Sequence, residues 1–211
     1  MGKQRNQGSG APAAPRFIRE SAEARRQALI QATARCLAER GVAGTSVRAI
    51  CARAGVSSGL LTHYFDGIDA LVLATYRDVG ARVSAATDAA VEATGRDPAA
   101  RLRAFLLANF RPPVLDADLL GTWIGFWSLV RSNPRIASVH AETYAEYRGR
   151  LESLLGQCKP CLSTGQIRLA AIGLTALVDG LWLELCLDPS TFSAEEAQGL
   201  VSQAADRILG D

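Results

Sequence analysis

The sequence is short of the residues on which enzymes and secreted proteins depend. Among 211 residues there are two histidines, His63 and His140, and five cysteines, an odd number that does not suit a secreted disulfide framework. It has no glycine-rich phosphate loop, no HExxH motif and no nucleophile with an evident histidine partner. We therefore expect a protein that is not an enzyme and that uses no cofactor.

Long uninterrupted apolar runs are also missing. The opening residues, MGKQRNQGSGAPAAPRF, lack the apolar centre of a signal peptide and are rich in Gly, Pro and Ala, so we expect a disordered basic arm over residues 1–18. The apolar run 119–130 is too short to cross a bilayer, and Asp179 and Glu184 interrupt the longer run 169–187. We expect both runs to be buried helices of a cytoplasmic protein without a membrane partner.

The cysteines follow the helical apolar pattern, except for one pair. Cys36, Cys51 and Cys186 lie at apolar positions and are interpreted as small core residues. Cys158 and Cys161 form the motif CKPC, for which two interpretations stay open. One is a redox or metal site, which needs further ligands, and the other is a plain loop between helices, favoured by the neighbouring proline and glycine.

Charge is distributed unevenly along the chain. Residues 1–66 carry 10 Lys or Arg and 4 Asp or Glu, a balance of +6, whereas residues 67–211 carry 13 against 17, a balance of −4. The two balances sum to the net charge of +2. A basic N-terminal third indicates that this end meets a polyanion, although an arginine-rich solvated surface is the alternative.

Apolar residues recur at helical spacing almost everywhere, and no segment shows a convincing strand pattern or an internal repeat. Three short helices are expected before residue 66 and a fourth, linking helix to about Thr94. Prolines and capping residues then delimit a fifth helix from Asp97 and four more at about 116–132, 134–157, 166–187 and 194–209. The pattern predicts an all-α protein of about nine helices.

The segment AGVSSGLLTHYF, residues 54–65, has the chemistry of a sharp turn that leads into a short helix. Gly55 permits a positive φ, Val56 can fill the space between two helices, and Ser57 can cap the second one. This is the layout of a DNA-reading helix-turn-helix, whose second helix lies in the major groove. An ordinary helical corner is the alternative, but it does not explain the basic arm and the charge asymmetry.

Candidate DNA contacts are the polar and small residues expected on the outer side of this motif. Leu61 and Phe65 should pack inward, Gly59 should let the helix approach the bases, and Leu60 should touch a thymine methyl. Arginines of the arm can reach the minor groove or the phosphates. The predicted set is Arg19, Arg25, Thr45, Ser46, Arg48, Ser57, Ser58, Gly59, Leu60, Thr62, His63 and Tyr64.

The stretch RRQALIQATARCLAERGVAGTSVRAICARAGVSSGLLTHYFDGIDAL, residues 25–71, resembles the TetR family of transcriptional repressors. It shares the family's E-R-G end of the first helix, T-S-V-R-x-I, A-G-V-S and the Y-F end of the recognition helix. The resemblance implies a DNA-binding domain over residues 19–66 and an effector-binding and dimerisation domain over residues 67–211. It also implies a homodimer that binds a palindromic double-stranded operator and is released by a small-molecule effector.

Two runs resemble the BetI-type branch, which controls the genes that convert choline to glycine betaine. They are SSGLLTHYF in the recognition helix and ALVDGLWLELCLDPSTFSAEEA, residues 176–197. The branch implies choline or a related quaternary ammonium effector. The alternative is a TetR-like regulator of an unrelated efflux or catabolic operon with an apolar effector.

The chain departs from the family just after the recognition helix. Many members carry basic residues there in the pattern F-K-x-K-x-x-L, whereas Asp66 and Ile68 take these places here. We expect the start of the fourth helix to contribute less phosphate affinity than it does in such members, because a carboxylate repels phosphate.

Two further sets of candidates lie in the C-terminal helices. Aromatic faces can hold a quaternary ammonium by cation–π attraction beside a carboxylate, although core packing is the alternative for each aromatic residue. The predicted effector residues are Trp123, Phe126, Trp127, Tyr144, Asp179 and Trp182. The family likeness assigns a dimer face to an apolar stripe that also suits an internal core: Leu174, Leu177, Leu181, Leu185, Leu200, Ala204 and Ile208.

Overall fold

The computed structural model describes residues 22–210, and within that range the chain forms nine helices and no strand. The prediction of an all-α protein of about nine helices is therefore confirmed. The predicted arm, residues 1–18, and Arg19 lie outside the described residues. The helices are α1 (Ala22–Gly44), α2 (Val47–Ala54), α3 (Ser58–Tyr64), α4 (Gly67–Glu92), α5 (Pro98–Ala108), α6 (Ala117–Val130), α7 (Pro134–Cys158), α8 (Thr164–Leu187) and α9 (Ala194–Leu209).

Local capping defines α2 and α3. The Ser46 hydroxyl accepts a hydrogen bond from the Ala49 amide at 3.2 Å and begins α2. Gly55 ends α2 with a left-handed φ of 66°, a conformation that favours glycine. Ser57 then caps α3 by accepting from the Leu60 amide at 3.3 Å. The three N-terminal helices and the start of α4 enclose a small core: Leu29, Ile30, Ala32, Cys36, Ile50, Cys51, Leu61, Phe65 and Leu71.

Helix boundaries differ from the predicted ones by a few residues, for local reasons. α8 begins at Thr164, two residues earlier than predicted, because Ser163 and Gln166 form a reciprocal capping box. α1 continues past the break at Gly41, where φ is 61°. Caps of this kind depend on side-chain rotamers that periodicity does not report.

Helix α4 belongs to both cores of the chain. Leu71 packs in the small N-terminal core, whereas Val72 and Tyr76 pack in the large core formed by α4–α9. A rotation of α4 relative to the later helices therefore changes the position of α2 and α3.

A second connection joins α1 to α6 through a very close helix contact. A Cβ atom built on Gly121 would lie 3.1 Å from both the Cα and the carbonyl oxygen of Ala38, and one on Gly125 would lie 3.4 Å from the Leu37 side chain. Between the two glycines, the Thr122 hydroxyl lies 3.0 Å from the Ala34 carbonyl oxygen and 2.7 Å from that of Asp118. The glycines are what allow the two helix backbones to approach.

Gly121→Ala is expected to lower the free energy of unfolding by about 1–3 kcal/mol, because the new methyl meets α1 backbone that cannot rotate away. Gly149→Ala is the matched control, since Gly149 lies inside α7 with no atom near its Cβ position. The control should be neutral or more stable by up to about 1 kcal/mol, through helix propensity alone. Urea unfolding measures the stability of both variants. Equal unfolding midpoints would contradict the close packing of α1 and α6.

Candidate functional site

Helix α3 presents its polar residues outward, as the sequence predicted. Ser58, Gly59, Thr62 and His63 are exposed, and a Cβ on Gly59 would touch nothing closer than the Ser57 hydroxyl at 3.9 Å. Leu61 and Phe65 of the inward face are buried in the small core. The surface of α3 is therefore free to enter a groove.

The other predicted DNA contacts surround α3, but their hydroxyl hydrogens are not equally available. Ser46 and Ser57 use their oxygens to accept capping bonds, so their hydrogens remain free to donate to a phosphate. Thr45 and Thr62 instead donate to backbone carbonyls, of Gly41 at 2.8 Å and Gly59 at 3.0 Å. These two hydroxyls must turn before they can donate to DNA.

The remaining members of the set differ in exposure. Arg48 is exposed and has no ion-pair partner within residues 22–210, which leaves its guanidinium available for a phosphate. Leu60 and Tyr64 are half-buried at the edges of α3, and Arg25 is half-buried on α1.

Asp66 is exposed at the start of α4 and makes no capping hydrogen bond to that helix. Asp66 also has no ion-pair partner among the described residues, so its carboxylate stays exposed at the edge of the predicted DNA surface. Asp66→Lys is expected to tighten operator binding about tenfold at low salt. The slope of log affinity against log salt concentration should become steeper by about one per protomer, since one more phosphate is neutralised.

The matched control for this substitution is Glu92→Lys, which makes the same charge change at the opposite end of α4. Glu92 is exposed and about 38 Å away along the helix, far beyond the screening distance at physiological salt. Operator binding measured across a salt series should distinguish the variants. Equal gains would mean that total charge, rather than a contact at Asp66, is responsible.

A cavity of about 810 Å³ lies among the C-terminal helices, with its walls drawn from α4, α5, α6, α7 and α8. Its inner end is predominantly aromatic and contains one carboxylate. The residues that line this end include Phe105, Asn109, Trp123, Tyr144, Tyr147, Asp179 and Trp182. The volume is within the usual range for small-molecule sites.

Four of the six predicted effector residues meet at this cavity: Trp123, Tyr144, Asp179 and Trp182. The other two are corrected by the structure. Phe126 is fully buried against Tyr76, with ring centroids 4.5 Å apart, and belongs to the core. Trp127 lies behind the wall, where its indole N–H donates to the Tyr144 hydroxyl at 3.1 Å.

Asp179 lies at the inner end in a poorly solvated place. The Tyr144 hydroxyl donates to its Oδ1 at 3.2 Å. Burial raises the pKa of Asp179 to about 6, partly offset by the Tyr144 hydrogen bond and by Arg148. The carboxylate is thus ionised at neutral pH and has no direct ion-pair partner among the described residues, so a buried cation beside it would be stabilised.

A chain of ring contacts leads from this carboxylate to α4. The His140 ring stacks on Tyr144 with centroids 4.3 Å apart, and its Nδ1 lies 2.9 Å from the Tyr76 hydroxyl on α4. Burial lowers the pKa of His140, which keeps the imidazole neutral at neutral pH. The inner end of the cavity is therefore connected to α4, the helix that directly follows α3.

The mouth of the cavity lies between α4 and α7 and is charged. Arg150 pairs with Asp88 at 2.7 Å, and Arg77 lies 4.0 Å from Glu142. Glu146 also lines the mouth, which therefore has three carboxylates and two arginines. Exposed pairs of this kind add little stability, but the excess of acid favours the approach of a cation.

The predicted effector set omits three residues of the inner end: Phe105, Asn109 and Tyr147. Asn109 follows Phe105 by four residues and is the C-cap of α5, and Tyr147 follows the predicted Tyr144 by three residues on α7. Helical spacing from Tyr144 was a signal that pointed to Tyr147. Nothing in the sequence pointed to α5, because its place beside α7 and α8 is a tertiary fact.

The predicted dimer stripe needs correction, because it faces the chain's own core. Leu174 and Leu181 are 2% and 8% exposed and pack inside the large core. Four others are partly buried against the same core: Leu177, Leu185, Ala204 and Ile208. Only Leu200, 46% exposed, lies on an open surface.

A different face of α8 and α9 is open and apolar. The five large apolar side chains that are exposed within residues 22–210 all lie on these two helices: Leu169, Ile172, Leu183, Leu187 and Leu200. Gly173, Ala176 and Gly180 are exposed between them on α8. By length and composition α8 is also the one described helix that is apolar enough to cross a membrane, although it packs on α7 and α9. The exposed apolar residues of α8 lack a cover among the described residues.

The CKPC pair lies where α7 ends. Cys158 is the last residue of α7 and is half-buried, and Cys161 is exposed in the loop before α8. In the part of the chain that the structure describes, no group of three or more His, Cys, Asp or Glu is placed to hold a metal ion.

The chain is similar to known regulators over most of its length. The profile of bacterial regulatory proteins of the tetR family matches residues 29–75, and that of the BetI-type transcriptional repressor C-terminal domain matches residues 98–210. The HTH-type transcriptional regulator BetI of Burkholderia thailandensis is 36% identical over 188 residues, covering 89% of this chain and 94% of that protein.

Solved structures agree with this likeness. The crystal structure of a transcriptional regulator from Pseudomonas aeruginosa PAO1 has a TM-score of 0.84 and 40% identity, covering 93% of this chain and 95% of that one. A regulator from Saccharomonospora viridis, solved in complex with choline, has a TM-score of 0.73 and 21% identity, covering 87% and 95%. At that identity the second likeness is one of fold alone.

Proposed function

The chain belongs to the TetR family of transcriptional regulators and has a BetI-type C-terminal domain, and on this premise we propose that it is a repressor controlled by a quaternary ammonium compound. It binds a palindromic operator as a homodimer and leaves the DNA when choline or a close relative occupies the cavity. As a DNA-binding regulator it acts in the cytoplasm. Residues 19–66 bind DNA, and residues 67–211 bind the effector and the second protomer.

The observation that carries the proposed effector is the inner end of the cavity. An ionised carboxylate, Asp179, lies there among the aromatic side chains of Trp123, Tyr144 and Trp182. Aromatic faces attract a trimethylammonium group without requiring hydrogen bonds from it, and the desolvated carboxylate supplies the opposite charge. An apolar effector would leave that buried charge unmatched.

The open face of α8 and α9 supports a second copy of this chain as the dimer partner. The exposed row Leu169, Ile172, Leu183 and Leu187 is apolar along the whole of α8, and Gly173 and Gly180 allow a facing helix to approach closely. A two-fold axis at this face would present the same residues from both protomers. Two copies of α3 then read half-sites about 34–36 Å apart.

The proposed mechanism is a shift between two arrangements of α4 and α6 relative to α1. The effector meets Trp123 on α6, and Asp179 is connected through Tyr144, His140 and Tyr76 to α4. A ligand that favours one packing of these helices changes the separation of the two α3 helices. It shifts the equilibrium only by its difference in affinity for the two arrangements.

The test is a gel-shift titration of the full chain with the DNA upstream of its own gene. We expect salt-sensitive, competitor-resistant binding of a palindromic site, followed by release with one of choline, betaine aldehyde and glycine betaine. No effect of any of the three at millimolar concentration would overturn the proposed effector and favour an apolar one. If competitor DNA displaces the protein from the palindromic site, the operator proposal is overturned.

A further inference from the structure

The inner end of the cavity contains two tyrosines one helical turn apart on α7, and their hydroxyls are in different states. The Tyr144 hydroxyl accepts from the Trp127 indole N–H, which can only donate, and gives its own hydrogen to Asp179. Both of its hydrogen-bonding roles are therefore used inside the protein. A ligand finds no free hydroxyl hydrogen at Tyr144.

The Tyr147 hydroxyl is held by Asn109 in a way that fixes the direction of its bond. The Asn109 Nδ2 lies 3.0 Å from the carbonyl oxygens of Phe105 and Leu106, and also 3.0 Å from the Tyr147 hydroxyl oxygen. Turning the amide round would set its Oδ1 against two carbonyl oxygens, so the NH₂ group must face them. The Tyr147 oxygen consequently accepts from Asn109.

The hydrogen of the Tyr147 hydroxyl is then left without an acceptor among residues 22–210, although Tyr147 lines the cavity. Burial raises the pKa of Tyr147 above its usual range, so the group keeps its hydrogen at any physiological pH. Among residues 22–210 the Trp123 indole N–H also has no hydrogen-bond partner, and it is buried from solvent.

We propose that Tyr147, oriented by Asn109, donates a hydrogen bond to an oxygen atom of the bound quaternary ammonium compound and thereby selects amino alcohols over simple alkylammonium ions. This inference rests on the proposed effector class. Tyr147 follows Tyr144 by about 4.5 Å along α7, a separation comparable to the span of a two-carbon link between nitrogen and oxygen. The cation then lies beside Asp179, and the oxygen lies at Tyr147.

The experiment compares choline with n-propyltrimethylammonium, in which a methyl group replaces the hydroxyl at nearly the same size. Calorimetric titration of the full chain should give choline an affinity about 5- to 100-fold higher, because the alkyl ligand leaves the Tyr147 hydrogen unsatisfied. In Tyr147→Phe the two ligands should bind within about twofold of each other. Asn109 keeps its two carbonyl partners in this variant, and thermal melting checks that the fold is intact.

Tyr144→Phe is the matched control, since it removes the same atom from the neighbouring tyrosine. It should weaken the binding of both ligands to the same extent, because Asp179 loses the hydrogen bond from Tyr144, and should preserve the ratio of the two affinities. A preference for choline that survives in Tyr147→Phe, or equal affinities in the unmodified protein, would overturn the assignment of Tyr147. If neither ligand saturates the unmodified protein, the proposed effector class itself is wrong, and the role of Tyr147 is wrong with it.

Discussion

Asp179→Asn is expected to lower the affinity for choline by about 30-fold to several thousand-fold and to leave a repressor that no longer releases its operator. Removing one partner of a buried charge pair costs about 2–5 kcal/mol, and each 1.4 kcal/mol is tenfold in affinity. Asparagine has nearly the same shape and can still accept from the Tyr144 hydroxyl. Operator affinity without ligand should stay the same, as measured by gel shift.

The loss cannot be attributed to unfolding, because Asp179 in its ionised form opposes folding. Its folded pKa of about 6 is above the usual value near 4, so the folded chain binds the proton more tightly than the unfolded one. The ionised carboxylate therefore costs stability above pH 6, and asparagine removes that cost. Asp179→Asn should melt at the same or a higher temperature at pH 7, and a lower melting temperature would contradict this assignment.

The same ionisation predicts how ligand binding depends on pH. Choline affinity in the unmodified protein should be constant above about pH 7 and should fall towards tenfold per pH unit below about pH 6, as Asp179 takes up a proton. Arg148 and three tyrosine hydroxyls lie around it, and burial lowers the pKa of His140, whose ring stacks on Tyr144. Any pH dependence of the affinity that remains in Asp179→Asn belongs to a group other than Asp179. Glu142→Gln, at the exposed mouth, should change affinity no more than a few-fold.

Gly180→Arg is expected to separate the protomers and to weaken operator binding by at least about 1,000-fold, to the level of non-specific binding. Gly180 is exposed on the open apolar face of α8, and nothing lies within 4 Å of its Cβ position. The single chain accepts the arginine, but a facing α8 would have to bury the charge. A monomer then holds only one recognition helix on the operator.

Gly149→Arg provides the matched comparison for the dimer, since Gly149 is also an exposed helical glycine with open space at its Cβ position. It lies on α7 rather than on α8 or α9, and its substitution should leave both mass and operator affinity unchanged. Light scattering at micromolar concentration and gel shift measure the two quantities. A Gly180→Arg protein that remains dimeric with full operator affinity would place the dimer interface elsewhere.

Local chemistry explains why the helix-turn-helix could be predicted from the sequence. Gly55 and the caps Ser46 and Ser57 act within a few residues of themselves, so residue type and order are enough to predict the turn and the start of α3. The inward direction of Leu61 and Phe65 follows from their four-residue spacing. The family likeness rests on the same short stretch.

The residues that line the cavity could be predicted from the sequence only in part. Aromatic residues and one acid at helical spacing suggested Trp123, Tyr144, Asp179 and Trp182, and the structure places all four on its walls. Spacing cannot distinguish an aromatic ring that lines a cavity from one that fills the core, and Phe126 belongs to the core. The raised pKa of Asp179 also depends on burial by other helices.

By itself the sequence determined the all-α class, the helix-turn-helix and the family, because these depend on local caps, turns and periodicity. Which side of α8 is open was decided by the tertiary structure alone. Apolar residues surround most of that helix, so its pattern has no single buried side, and the packing of α7 and α9 covers Leu174 and Leu181 while leaving Leu169 and Leu183 uncovered. The free hydroxyl hydrogen of Tyr147 likewise exists only because α5 sets Asn109 against it.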